Sequence, residues 1–390
     1  MNPASNSPSG GRPAPRGKSL GAFGSEAVER LRAGGNAWRL PGGEILLPRV
    51  FGFCRGVERA LNMLQRECDA QLAAGRRLFL LGEVIHNPWV NDHFLHRGVR
   101  ILTRRQRAEP QRLITADDVA VIPAFGVPLS LERRLREVGC RIVDTSCVDV
   151  RRLWAWAERA ARQQYGVLIF GRAQHDETVV TKSRLEAVGG RYVVAGNMRE
   201  VRTLCELIVG RLPAGGFRVA FDERATNAED IEPFLRLAQV SQTTMLYEET
   251  LKVRRLIRAA FRQRFGREGA SERLVFQPTV CRATQDRQRA AVEMCRAGLD
   301  LVVVVGGHSS SNTRHLYELA REFAPAVFIE DARAILSAEE IESFDPVEER
   351  TVRIAGWLPA RPVRIGVLAG ASSPEIVVGG VLERLGKLLS

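Results

Sequence analysis

The chain has 390 residues, 45% hydrophobic and 26% charged, which is enough to bury the cores of two or three domains. No apolar run reaches the roughly 18 residues of a membrane span and no secretory leader is visible, so a cytoplasmic protein is expected and no membrane partner. The formal charge of +12 is almost all arginine and is spread along the chain rather than gathered into a motif, which argues against a nucleic-acid partner.

In chain order, residues 1–45 come first. They open on MNPASNSPSGGRPAPRGKSLGAFG, rich in Pro, Gly, Ser and Asn, without an acidic residue and without periodicity. This composition predicts a disordered N-terminal extension. A simple tail is preferred to an organelle-targeting segment, because no amphipathic arginine face is present.

From residue 46 onward the chain reads as strand, turn, helix, repeatedly. RLFLLGEV, DDVAVIPAF, YGVLIFG, FRVAFDE, LDLVVVVGG, AVFIED and VRIGVLAG are short apolar runs, each followed by a turn and a helical periodicity. Buried parallel strands have this character, which predicts an α/β fold with more than one sheet.

One pattern recurs three times. In VFGFCRGVERALNML, RIVDTSCVDVRRLWAWA and LVFQPTVCRATQDRQRAAVEM a strand-like run ends in a turn holding a cysteine, and a helix begins at once. Cys54, Cys147 and Cys281 are thereby equivalent. They are 93 and 134 residues apart, too far for a zinc ribbon or a ferredoxin run, so a shared site has to be assembled by separate units. Free N–H groups at a helix start favour thiolates, and three thiolates leave a fourth position open on zinc or on a 4Fe-4S cluster. Three buried structural cysteines are the plainer alternative. Seven cysteines in a chain with no visible leader speak against a disulfide framework.

The segments GFCRGVERAL, GEVIHNPWVND, PAFG, VDTSC, HDET, SQTTM, CRATQDRQRA, GGHSSSNTRHL and GVLAGASSPE, in this order, resemble the 4-hydroxy-3-methylbut-2-enyl diphosphate reductase family over about residues 46–390. Phe125, where the common bacterial form has histidine, makes the chain similar to the plant and cyanobacterial branch.

The resemblance implies three α/β domains in a pseudo-threefold trefoil around a central iron-sulfur cluster. Here they would span residues 46–146, 147–279 and 280–390, with Cys54, Cys147 and Cys281 as the three ligands of one 4Fe-4S cluster that keeps an open iron site. It implies two-electron removal of the C4 hydroxyl of an allylic diphosphate, giving isopentenyl and dimethylallyl diphosphates. The electron donor would be an acidic protein of ferredoxin or flavodoxin type.

On the same motifs, His86 and His175 would bind the diphosphate beside an apolar Phe125. Glu177 would supply the proton for the leaving hydroxide, with Thr243 in the relay and at the substrate, and Asp176 pointing elsewhere. His175 and Glu177 are expected on an extended loop. Ser310, Ser311, Asn312 and Ser372 would hold phosphate, Ser372 also opening a capping box with Glu375.

The chain departs from the family at Val148 (usually proline), Ser309 (asparagine), His308 (tryptophan in this branch) and Leu368 (a hydroxyl residue). None of these removes a ligand. A divergent paralogue acting as a non-redox dehydratase, or as a redox sensor, is the alternative; a sensor has no use for a proton donor.

Overall fold

A computed structural model describes residues 21–213 and 215–390. Strands such as Leu301–Val305 and Val119–Ile122 are buried along their whole length, so each needs cover on both faces. Helices provide it. A side chain of this size stabilises by about 1.5–3 kcal/mol when fully buried, which is why uninterrupted apolar runs become central parallel strands.

Three such sheets form. The first has the order Arg100–Ile101, Leu78–Leu80, Val119–Ile122, Arg141–Asp144, all parallel. The second runs Leu274–Phe276, Leu237–Ser241, Gly166–Phe170, Tyr192–Ala195, also parallel. The third contains Gly43–Leu46, Val363–Ala369, Leu301–Val305 and Ala326–Ile329 in parallel, with Ala37–Leu40 antiparallel at its edge. A separate hairpin pairs Glu340–Asp345 with Arg350–Ala355.

The expected disorder of residues 1–45 is corrected for residues 21–45; residues 1–20 lie outside the described part. Ser25 caps the helix Glu26–Ala33 by accepting from the Val28 N–H, and Ala27, Val28 and Leu31 of that helix are buried. Arg32 pairs with Glu375, and Gly43–Leu46 adds a parallel strand beside Val363–Ala369. These residues are therefore the edge of the third sheet, although they precede the first in sequence.

FRVAFDE is not a strand. Its core is the helix Gly216–Ala220, with Phe217 and Phe221 buried four residues apart while Val219 between them is 88% exposed. That spacing is helical. No described helix is long and apolar enough to cross a membrane.

Candidate active site

Each parallel sheet sends its chain through a turn into a helix whose N-cap is one of the recurrent cysteines: Cys54 before Arg55–Glu67, Cys147 before Val148–Arg162, Cys281 before Arg282–Cys295. Cys54 Sγ accepts from the Val57 N–H at 3.5 Å, and Cys281 Sγ from the Thr284 N–H at 3.4 Å. The turns are tied to one another by backbone. The Cys54 N–H donates to Ala371 O in the third sheet's last turn, and the Cys281 N–H to Thr243 O in the second. Arg59 of the first helix donates to Ser146 O, just before Cys147.

Gly56 shows how close these turns come. A Cβ at this position would stand 2.7 Å from Cys147 Sγ and 3.7 Å from Cys54 Sγ, so any side chain would displace the Cys147 thiol. The Cys54 and Cys147 thiols thus lie against the same stretch of backbone, at a position that only glycine leaves open. Burial pushes the Cys147 thiol up and the Cys281 thiol up to about 12, against the favourable helix ends. The expected lowering by the helix N-terminus is outweighed at Cys147 and Cys281, because burial disfavours the charged thiolate. A cation held by the three sulfurs would supply the missing charge, since coordinating thiols deprotonate outright.

Glu177 is 3% exposed and Thr243 4%. Glu177 Oε1 accepts from the Thr243 N–H at 2.7 Å, and Oε2 from the Thr243 hydroxyl at 2.5 Å. Burial raises the Glu177 carboxyl to about 7, while the Thr243 bonds and His86 oppose the rise. Glu177 lies in the first turn of the helix Asp176–Ala187, capped by His175, rather than on an extended loop. His175 Nδ1 accepts from the Glu177 N–H at 3.3 Å, and burial, with His86 and Arg172 nearby, holds its imidazole neutral.

His86 stacks on Phe125 with ring centroids 4.5 Å apart and lies 5.5 Å from the His175 ring. Its Nδ1 pairs with Glu83 at 3.0 Å, whereas its Nε2 is buried without a partner. Asp176 does not point away: its Oδ2 is 3.9 Å from that Nε2. Asp176 is the first residue of the helix Asp176–Ala187, so its direction is set by the helix start and not by the alternation of an extended loop. The helix after His86 is capped by Asn87, so the imidazole is free of capping.

The third sheet contributes hydroxyls. Ser310 caps the helix Ser311–Ala320, and Ser372 donates to Ser310 Oγ at 3.1 Å. The cap before Glu375 is Pro374, so Ser372 forms no capping box; its hydroxyl turns to Ser310 instead. Ser311 meets Gln242 at 3.0 Å and Thr244 at 2.9 Å. Asn312 donates to Thr284 Oγ1 at 3.4 Å and accepts from the Ala371 N–H at 2.9 Å, and Thr284 Oγ1 is 3.2 Å from Cys281 Sγ. At Gly307 a Cβ would fall 2.6 Å from His86 O, so the loop carrying the serines abuts the loop carrying His86.

The structure thus brings the serines and Asn312 against the Cys281 and Gln242 turns, and His86, His175, Phe125 and Asp176 together across the Gly307 contact. Sequence reasoning missed Gln242, Thr244, Thr284 and His315, whose Nδ1 meets Thr244 O at 2.7 Å. All four lie inside the quoted motifs, but as uncharged or buried groups they offered no chemical signal of their own.

Fold and site together define a multi-sheet α/β protein in which three helix-start cysteines lie on turns tied by hydrogen bonds to one another's neighbourhoods and close to hydroxyl, imidazole and carboxyl groups. The LytB protein family matches over residues 45–386. A 4-hydroxy-3-methylbut-2-enyl diphosphate reductase of Gloeobacter violaceus is 36% identical over 93% of this chain and 87% of its own, and that of Thermosynechococcus vestitus 34% over 95% and 91%. The chain belongs to the LytB family, among relatives named 4-hydroxy-3-methylbut-2-enyl diphosphate reductase.

Two solved structures share the fold. A structure of (E)-4-hydroxy-3-methyl-but-2-enyl diphosphate reductase, described as the terminal enzyme of the non-mevalonate pathway, has a TM-score of 0.53 at 22% identity, covering 88% of this chain and 99% of its own. The E-1-hydroxy-2-methyl-but-2-enyl-4-diphosphate reductase of Plasmodium falciparum has a TM-score of 0.62 at 19% identity, covering 88% and 87%. The relatives named here give the dehydratase and sensor readings no support.

Proposed function

We propose that this chain is a 4-hydroxy-3-methylbut-2-enyl diphosphate reductase that converts the allylic diphosphate to isopentenyl and dimethylallyl diphosphates with two electrons and two protons, releasing water. The observation that carries the reading is the meeting of three N-cap cysteines beside the Glu177–Thr243 pair, in a chain of this family. Three thiol donors from three separate turns, with a fourth position left open, suit a 4Fe-4S cluster in a chain of this family.

Cys54, Cys147 and Cys281 would hold that cluster, which when bound supplies the electrons and one Lewis-acidic iron. The chain's own residues do the rest. The unpartnered Nε2 of His86 and the neutral ring of His175 face one end of the site, where they bind diphosphate oxygens. Ser310, Ser311, Asn312 and Ser372 receive the anion from the other side, with the N–H groups of the helix Ser311–Ala320 adding positive character.

A carboxyl with a pKa of about 7 keeps a substantial protonated fraction at neutrality and is mostly protonated below it. With the proton on Glu177 Oε2, the Thr243 oxygen accepts it and turns its own hydrogen outward. The hydroxyl rotor permits this reversal. The proton then passes from Glu177 through Thr243 to the departing hydroxyl oxygen, so that water leaves instead of hydroxide.

The test is turnover without oxygen, using a chemical reductant and following both five-carbon diphosphates by mass. Both are expected. A product formed by loss of water alone, with no need of reductant, would contradict the reading.

His86→Ala should raise KM at least tenfold, about 1.4 kcal/mol for one charge-assisted hydrogen bond. An unchanged KM would place the diphosphate elsewhere. The protein donor is an acidic carrier of ferredoxin or flavodoxin type, matched to the chain's charge of +12. Its reduction of this chain should be fastest at low ionic strength and slow as salt screens the encounter. A rate independent of salt would remove the electrostatic argument for that partner.

A further inference from the structure

Arg287 stands in the second turn of the helix Arg282–Cys295 and is only 4% exposed. Its guanidinium gives every visible bond to backbone carbonyls. Nε and Nη2 donate to Gly52 O at 3.2 and 2.5 Å, and Nη1 donates to Ala283 O at 2.9 Å. Gly52 lies two residues before Cys54, and Ala283 two residues after Cys281. The side chain therefore bridges the turns that deliver two of the three cysteines, one from each end of the sequence.

The two carbonyls accept three hydrogen bonds without neutralising the charge. A buried cation is costly unless a negative group compensates it, and the usual solution is a carboxylate. Here no carboxylate hydrogen-bonds the guanidinium among the described residues; both carbonyls it binds lie two residues from a cysteine, Cys54 on one side and Cys281 on the other. The counter-charge to Arg287 is thus the cysteine site itself. A centre ligated by three thiolates carries net negative charge, and an adjacent fixed cation favours its more reduced state.

We infer that Arg287 is a positioning residue of the three-cysteine centre: it clamps the Cys54 turn to the Cys281 helix, and its charge holds the reduction potential of the bound cluster above the value the thiolates alone would set. The inference rests on the reading that the three cysteines hold an iron-sulfur cluster. It concerns a group that touches neither substrate nor proton relay.

The test uses anaerobically purified, iron-loaded protein with Arg287→Gln and Arg287→Lys. Iron and sulfide are counted, and the midpoint potential is measured by redox titration followed spectroscopically. The Gln variant should load and show a more negative potential, with the Lys variant nearer wild type. A Gln variant that loses iron while the Lys variant keeps it near the wild-type potential also supports the charge role. A fully loaded Gln variant at the wild-type potential overturns it. Loss of iron from both variants overturns the charge role, because Lys keeps the charge and only the fork geometry is gone. If wild-type protein itself binds no iron and sulfide, the cluster reading fails before Arg287 is tested.

Discussion

Cys54→Ser, Cys147→Ser and Cys281→Ser each abolish iron-sulfur assembly and, with it, all formation of five-carbon diphosphates. Serine keeps the size and, at positions 54 and 281, a side chain able to make the N-cap hydrogen bond, but it is a far poorer ligand for iron than thiolate. The same change at Cys68, Cys140, Cys205 or Cys295 leaves iron content intact. Those four are buried, at 1%, 8%, 9% and 4% exposure, and cap no helix N-terminus. Acidity does not separate the two sets, since burial pushes Cys205 up to about 12 just as it does Cys281. Convergence does. The check is iron and sulfide per chain in all seven variants; equal loss across the seven would remove the assignment.

Glu177→Gln lowers turnover by about 10²- to 10⁴-fold while iron content and substrate affinity persist. Glutamine keeps the shape and a hydrogen bond to Thr243 but has no acidic proton. The sign of the pH dependence follows from the raised carboxyl. The acid is competent when protonated, so wild-type turnover falls as pH rises through about 7. That limb should be missing from the Gln profile. A Gln variant turning over at the wild-type rate would move proton delivery to Thr243, water or the diphosphate.

The cysteine turns were legible because each lies between a short strand-like run and a helical periodicity, and both signals are local. The pairing of Gly43–Leu46 with Val363–Ala369 was not legible, because it joins opposite ends of the chain and leaves no mark within either segment. For the same reason residues 21–45 looked like a tail. FRVAFDE misled because a short apolar stretch fits both periods, and burial of Phe217 and Phe221 around an exposed Val219 decided it.

At the site, residue types were readable but directions were not. Asp176 and Ser372 each turned toward the site, or toward its serines, through a helix start whose register the sequence did not fix. Arg287 could be seen only once Gly52 and Ala283 stood on either side of it.

The central claim is that three-cysteine chemistry here removes a hydroxyl by reduction. The most direct measurement is electron stoichiometry: reductant consumed per molecule of isopentenyl plus dimethylallyl diphosphate formed by the anaerobic protein. Two electrons per product molecule are predicted, with no product in the absence of reductant. Turnover of the allylic diphosphate that consumes no electrons would contradict the account.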